Sequence, residues 1–155
     1  MKWKIVIGLI GFILLITLIG TGVYQFTVAE AKEREQTVAI QAEARLKKEL
    51  APKQIQFDHV FNGKTQYSVF TIEKDGQALR AFVPKTGKIE TRRVKDGMKI
   101  ADVIRQAGNP ENIVSAKYGF ENRALIEIVT KTATGYDYSY YTYQEGSFIK
   151  RLRIN

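Results

Sequence analysis

The spacing of apolar and polar positions changes character along this chain. From Ile5 to Tyr24 there is no charged residue. As a helix rising about 1.5 Å per residue, that run spans roughly 30 Å, the thickness of a bilayer's hydrocarbon core. A helix is the one single-span conformation that satisfies every backbone polar group in lipid. Trp3 and Tyr24 stand at its ends, where amphipathic rings favour the headgroup zone. A transmembrane anchor over residues 5–26 is therefore expected, with residues 1–4 as a cytoplasmic tail. A cleaved signal peptide shares the basic start (Lys2, Lys4), and Ala29-Glu30-Ala31 has a small-x-small pattern. Its apolar region usually runs about 7–15 residues, so the longer run here favours an uncleaved span.

Beyond the span the period becomes helical. Ala31, Val38, Ala42, Leu46 and Leu50 make one apolar stripe, with Glu30, Lys32, Glu33, Arg34 and Glu43 largely off it. Pro52 ends this stretch, which begins near Thr27. It either continues the apolar run as one rod or breaks from it near Gln25–Thr27.

Alternation of period two then takes over. Strands are expected at Gln54–Val60, Tyr67–Ile72, Leu79–Val83 and Ile89–Val94, separated by Asn62-Gly63, Asp75-Gly76 and Thr86-Gly87. A shorter helix over about Ile100–Ala107 stops at Gly108-Asn109-Pro110. Further strands follow at Ile113–Tyr118, Ala124–Thr130, Tyr136–Tyr143 and Phe148–Ile154, with turns at Glu121-Asn122, Thr134-Gly135 and Glu145-Gly146. The plan thus repeats. Gly76 and Gly87 recur as Gly135 and Gly146 at an offset of 59, which sets Phe70 opposite Val129 and Phe82 opposite Tyr141. The expected fold class is α+β: an N-terminal span, then two copies of a helix with an antiparallel sheet of three or four strands. Copies of about 60 residues are marginal alone, so the two should pack together or share a sheet.

Charge adds a partner class. With Lys2 and Lys4 set aside, 22 of the 24 bases face 16 acids, and the part beyond the span carries about +6. Arg80 to Lys117 holds much of the excess, and Lys150, Arg151 and Arg153 add to it at the C-terminus. Outside a membrane such charge suits anionic lipid, anionic wall polymer or an acidic partner, or simply a solvated surface. Translocation of a long domain proceeds largely regardless of its charge, so the N-terminus is expected inside and residues 27–155 outside the cytoplasmic membrane. That topology argues against nucleic acid.

Catalytic signals are few. The absence of cysteine excludes a lipoprotein anchor, disulfides, zinc-thiolate sites and thiol nucleophiles. His59, the sole histidine, follows Asp58 on an expected strand. Neighbours on a strand point oppositely, so a triad is not expected and His59 reads as a surface or edge residue. No nucleophile elbow, phosphate loop or metal motif is present, and no cofactor is expected. Asp137 and Glu145 read as solvated turn residues. Gly135–Tyr143 carries five of the eight tyrosines. On a regular strand Tyr136, Tyr138 and Tyr140 share one face and Tyr141 and Tyr143 the other; alternatively a bulge rotates the strand. This strand either fills the core or offers a tyrosine surface for a protein or sugar ring. The candidate interaction surface comprises Tyr138, Tyr140, Tyr141, Tyr143, Arg92, Arg93, Lys150, Arg151 and Arg153.

The order of parts, with Tyr67-Ser68-Val69 leading to Asp75-Gly76, Ala81–Ile89, and the counterparts in Leu125–Val129 and Tyr136–Lys150, resembles the PepSY-like, cystatin-like extracytoplasmic proteins of Gram-positive bacteria. Within them it is similar to the YpmB type, the TseB-like cell wall elongation regulators. The resemblance implies PepSY-like repeats over residues 27–95 and 96–155. It implies a non-enzymatic, single-pass protein that binds a peptidoglycan elongation enzyme, notably a class B penicillin-binding protein. A peptidase inhibitor or a binder of anionic wall polymers are the alternatives. Pro84 within the strand motif suggests an edge or a strand end.

Overall fold

Residues 33–155 are described by the computed structural model; the expected tail and anchor (residues 1–4 and 5–26) lie outside them. Among the described residues no helix is long and apolar enough to cross a membrane. Helix α1 runs over residues 33–50 and buries Ala39, Ala42 and Leu46 along one face. It ends at Ala51, which sits at φ 45°, the left-handed region that closes helices. Pro52 then prevents continuation.

All eight strands form. β1 (Gln54–Asn62), β2 (Gln66–Lys74), β3 (Gln77–Pro84) and β4 (Glu90–Arg93) make an antiparallel meander in that spatial order. Helix α2 (Ile100–Gln106) follows, and then β5 (Ile113–Glu121), β6 (Arg123–Lys131), β7 (Tyr136–Thr142) and β8 (Phe148–Ile154) repeat the meander. Pro84 is the last residue of β3.

Each helix covers one face of its own sheet. Beneath α1, Leu46 and Ala42 pack on Phe70, Ile72, Ala81, Val83 and Ile89. Beneath α2, Val103 packs on Ile126, Ile128 and Tyr141. Each of the larger side chains removed from water here contributes roughly 1.5–3 kcal/mol, and the alanines less. Arg45 ties α1 to the β3–β4 turn, donating from Nη1 to the Pro84 carbonyl at 2.6 Å and from Nη2 to the Gly87 carbonyl at 2.8 Å.

The register corrects the expected offset of 59. Phe70 pairs with Ala81 and Ser68 with Val83; Ile128 pairs with Ser139 and Ile126 with Tyr141. Those correspondences, and Pro52 with Pro110 after the two helices, require an offset of 58. The glycine turns mislead because the glycine takes a different place in each: Gly76 is the second residue of the turn between Lys74 and Gln77, whereas Gly135 bonds Thr132 and follows the turn residues 133–134. One residue matters here, since a single-residue shift exchanges the faces of a strand. At 59, Phe70 would match Val129, which lies on the face away from α2.

The two sheets meet through the other face of the first. Phe61, Val69 and Phe82 pack against Phe120, Ala124, Leu125, Tyr140 and Tyr143. Gly119 of β5 lies beneath Phe61 so closely that a β-carbon there would stand 2.5 Å from the ring.

Candidate functional site

The tyrosine strand settles first. The β6–β7 register runs without a break from Leu125 to Lys131, so β7 is regular; the irregularity lies opposite it in β8, between the partners of Tyr140 and Tyr141. Both faces of β7 are consequently used. Tyr140, Tyr141 and Tyr143 are buried, which removes them from the expected interaction surface, and Tyr138 is half-buried. The hydroxyl of Tyr143 donates to the Arg93 carbonyl at 3.2 Å, and its own carbonyl accepts from Met98 N. The Tyr140 hydroxyl faces the Glu127 carboxylate, and burial raises the pKa of both groups.

The five basic residues are largely committed within the fold. Arg92 is half-buried, near Glu90 at 3.3 Å and over the Phe120 ring. Arg93 pairs with Asp96 at 2.6 Å, and Lys150 donates to Glu121 at 2.8 Å. Arg151 donates to Ser139, and Arg153 grips both oxygens of Asp137 at 2.7 and 2.9 Å. Asp137 is thus a buried carboxylate and not a solvated turn residue; the Arg153 hydrogen bond holds its pKa below the ordinary aspartate value. Glu145 is exposed, as expected.

His59 also differs from its expected surface position. A bulge at Asp58 breaks the β1–β2 register, and the His59 ring lies half-buried at the joint between sheets. Its Nε2 is 2.8 Å from the Tyr118 carbonyl, so that nitrogen carries the proton. Burial lowers its pKa. Asp58 instead accepts from Thr71 at 2.8 Å and stands 3.8 Å from Arg80 Nε. Arg80 in turn lies 3.5 Å over the Tyr118 ring. This polar cluster is a joint between sheets and contains no nucleophile aligned with the histidine. Among the described residues no group of three His, Cys, Asp or Glu side chains is placed to hold a metal ion.

What remains exposed lies, apart from Tyr138, outside the residues that sequence reasoning singled out. On the face of the second sheet away from α2, Tyr136 pairs with Ile154 and Tyr138 with Leu152. Tyr136 is 39%, Leu152 48% and Ile154 56% exposed. Together they form an apolar strip on edge strand β8 and its neighbour β7, with Arg151 and Arg153 pointing the opposite way from Leu152 and Ile154. The alternation of Leu152 and Ile154 with arginines was the available signal. A second feature is a cleft of about 430 Å³ between the β1–β2 and β5–β6 turns, with Lys64, Arg123 and Lys150 in its walls.

No family model matches the chain, and no curated protein matches it. Among solved structures it is similar to the YpmB protein from Bacillus subtilis. The two share 28% identity with a TM-score of 0.62, over 73% of this chain and 94% of that one. The fold is YpmB-like. The match agrees with the expected kind of fold, two sheets each with its helix, and carries no statement of what either protein binds.

Proposed function

We propose that this chain is a non-enzymatic, membrane-anchored extracytoplasmic protein built from two PepSY-like, cystatin-like repeats. Its role is to dock on and regulate a larger enzyme of peptidoglycan elongation, a class B penicillin-binding protein. The observation that carries the docking part is the strip of Tyr136, Tyr138, Leu152 and Ile154 on a YpmB-like fold. Such a strip resembles the centre of an interface, where aromatic and aliphatic side chains gather and charges lie at the rim. A stable complex buries about 1,000 Å² or more in total, so the strip would be its centre and the surrounding surface its rim. The uncharged run from Ile5 to Tyr24 supports the anchor, and the localisation follows from it.

The test is site-specific photocrosslinking of the full-length chain in cells. A crosslinker at Leu152 should capture a class B penicillin-binding protein, and one at exposed Ile40 on α1 should not. Equal capture from both positions, or capture of no wall enzyme from Leu152, defeats the reading. A dominant crosslink to a membrane protease would replace it with the inhibitor alternative.

A further inference from the structure

We propose that the cleft between the β1–β2 and β5–β6 turns binds a phosphodiester chain. This site is separate from the apolar strip and does not depend on the docking reading.

The cleft is built by close approach of two turns. Gly63 lies against Glu121 so tightly that a β-carbon there would stand 2.9 Å from Oε1 and 2.6 Å from the Phe61 ring. Its φ is not positive, so contact and not turn geometry requires glycine. Across the gap Asn122, at φ 57°, closes the β5–β6 turn in one residue and sets Arg123 at the rim. Phe120 and Leu125 are buried in the floor, and Tyr67 stacks near Phe120 with ring centroids 5.4 Å apart.

The walls are rich in donors and poor in free acceptors. Lys150 and Glu121 satisfy each other at 2.8 Å. The side chains of Lys64 and Arg123, both exposed, bond no other described residue. Thr65 and Asn122 add side chains that can both donate and accept beside them. Arg123 also lines a second cleft, of about 240 Å³, together with Arg92 and with one carboxylate, Glu145. Cations are therefore strung along a path and not gathered at one point.

This inventory selects the ligand. A peptide brings a backbone N–H with nearly every residue, and each needs an acceptor; the one carboxylate in the first cleft is already bonded to Lys150, which leaves the Thr65 and Asn122 oxygens as its side-chain acceptors against the two open cations Lys64 and Arg123. A phosphodiester brings acceptor oxygens and repeated negative charge. The arginine fork and the lysine ammonium match those oxygens. The first cleft also exceeds what a lone phosphate fills, and its floor suits the less polar links between charges.

The experiment is calorimetric titration of the full-length chain in neutral detergent with a short glycerol-phosphate oligomer. Inorganic phosphate, an acidic oligopeptide and phosphatidylglycerol vesicles are run in parallel. Arg123→Gln and Lys64→Gln should each weaken oligomer binding about tenfold, the range of a lost charge-assisted hydrogen bond. Lys74→Gln removes an equal charge at the opposite end of β2 and should change affinity less than about twofold through distant, screened charge. Unchanged thermal midpoints establish that the variants fold. Equal loss in Lys74→Gln overturns the site in favour of general charge attraction. Tighter binding of the acidic peptide overturns the phosphate assignment. Binding of the vesicles alone overturns the free chain and makes the ligand a lipid headgroup.

Discussion

The two sheets have the same strand order and the same register across their second and third strands, yet they are covered differently. The first is packed on both sides, by α1 over Phe70 and Val83 and by the second sheet over Phe61, Val69 and Phe82, and leaves Phe57 of β1 38% exposed. The second is covered by the seven-residue α2 on one side, and part of its other face, at Tyr136, Leu152 and Ile154, stays open. A shared meander therefore sets which residues pair, but the length of the helix and the partner sheet decide which faces are spent on stability. The first half is built as support, and the outer strands of the second keep apolar surface free for recognition.

Mutations can break that contrast. The largest expected effect is Phe70→Ala, a fully buried ring beneath α1, which should cost about 4 kcal/mol; Leu152→Ala on the open strip should cost under about 0.5 kcal/mol. Chemical denaturation of both variants measures the difference, and equal losses would mean the open strip is covered. Next is Gly119→Ala at the joint. Phe61 has no room to retreat within the core, and the strain should cost about 3 kcal/mol. The midpoint shift in the same assay reads it, and a neutral result would show that the sheets separate easily.

A smaller effect of opposite sign is expected at the end of α1. Ala51→Gly relieves a left-handed alanine and should gain about 0.5–1 kcal/mol in thermal denaturation, less the entropy glycine adds to the unfolded chain.

The smallest test separates two carboxylates of the second sheet. Asp137 is held below its ordinary pKa by Arg153, so its contribution is present above the ordinary aspartate value and is lost as pH falls through the depressed one. Glu127 is raised by burial, so its contribution is full below the ordinary glutamate value and is lost as pH rises through the raised one. Thermal midpoints across pH 2–8 should show Asp137→Asn losing its disadvantage in acid and Glu127→Gln gaining relative to wild type toward neutrality. Parallel curves for both variants would contradict the assigned causes.

Much of the fold was legible locally. Pro52 and Gly108-Asn109-Pro110 mark the two helix ends, and Asp75-Gly76 takes positive φ at both residues, as a tight hairpin requires. Asn62-Gly63 misled in kind: Asn62 closes β1 and Gly63 answers to crowding by Phe61 and Glu121. The candidate surface was less legible. Composition drew attention to tyrosines, but Tyr140 and Tyr141 lie where β7 is covered on both faces, and Tyr143, just past it, is buried as well. Clusters of basic residues drew attention to Arg93, Arg151 and Arg153, whose acids are supplied locally or across strands. Lys64 and Arg123 stood alone in sequence and so went unnoticed.

The sequence by itself determined the uncharged run, the two helices, the eight strands and their repetition, because periodicity and turn residues act between near neighbours. The tertiary structure decided the offset between repeats, the burial of His59 and the tyrosines, and which cations keep a free charge. Each of those depends on contacts between residues far apart in the chain, across strands, between a helix and its sheet or between the two sheets, and such contacts leave no periodic mark in the sequence.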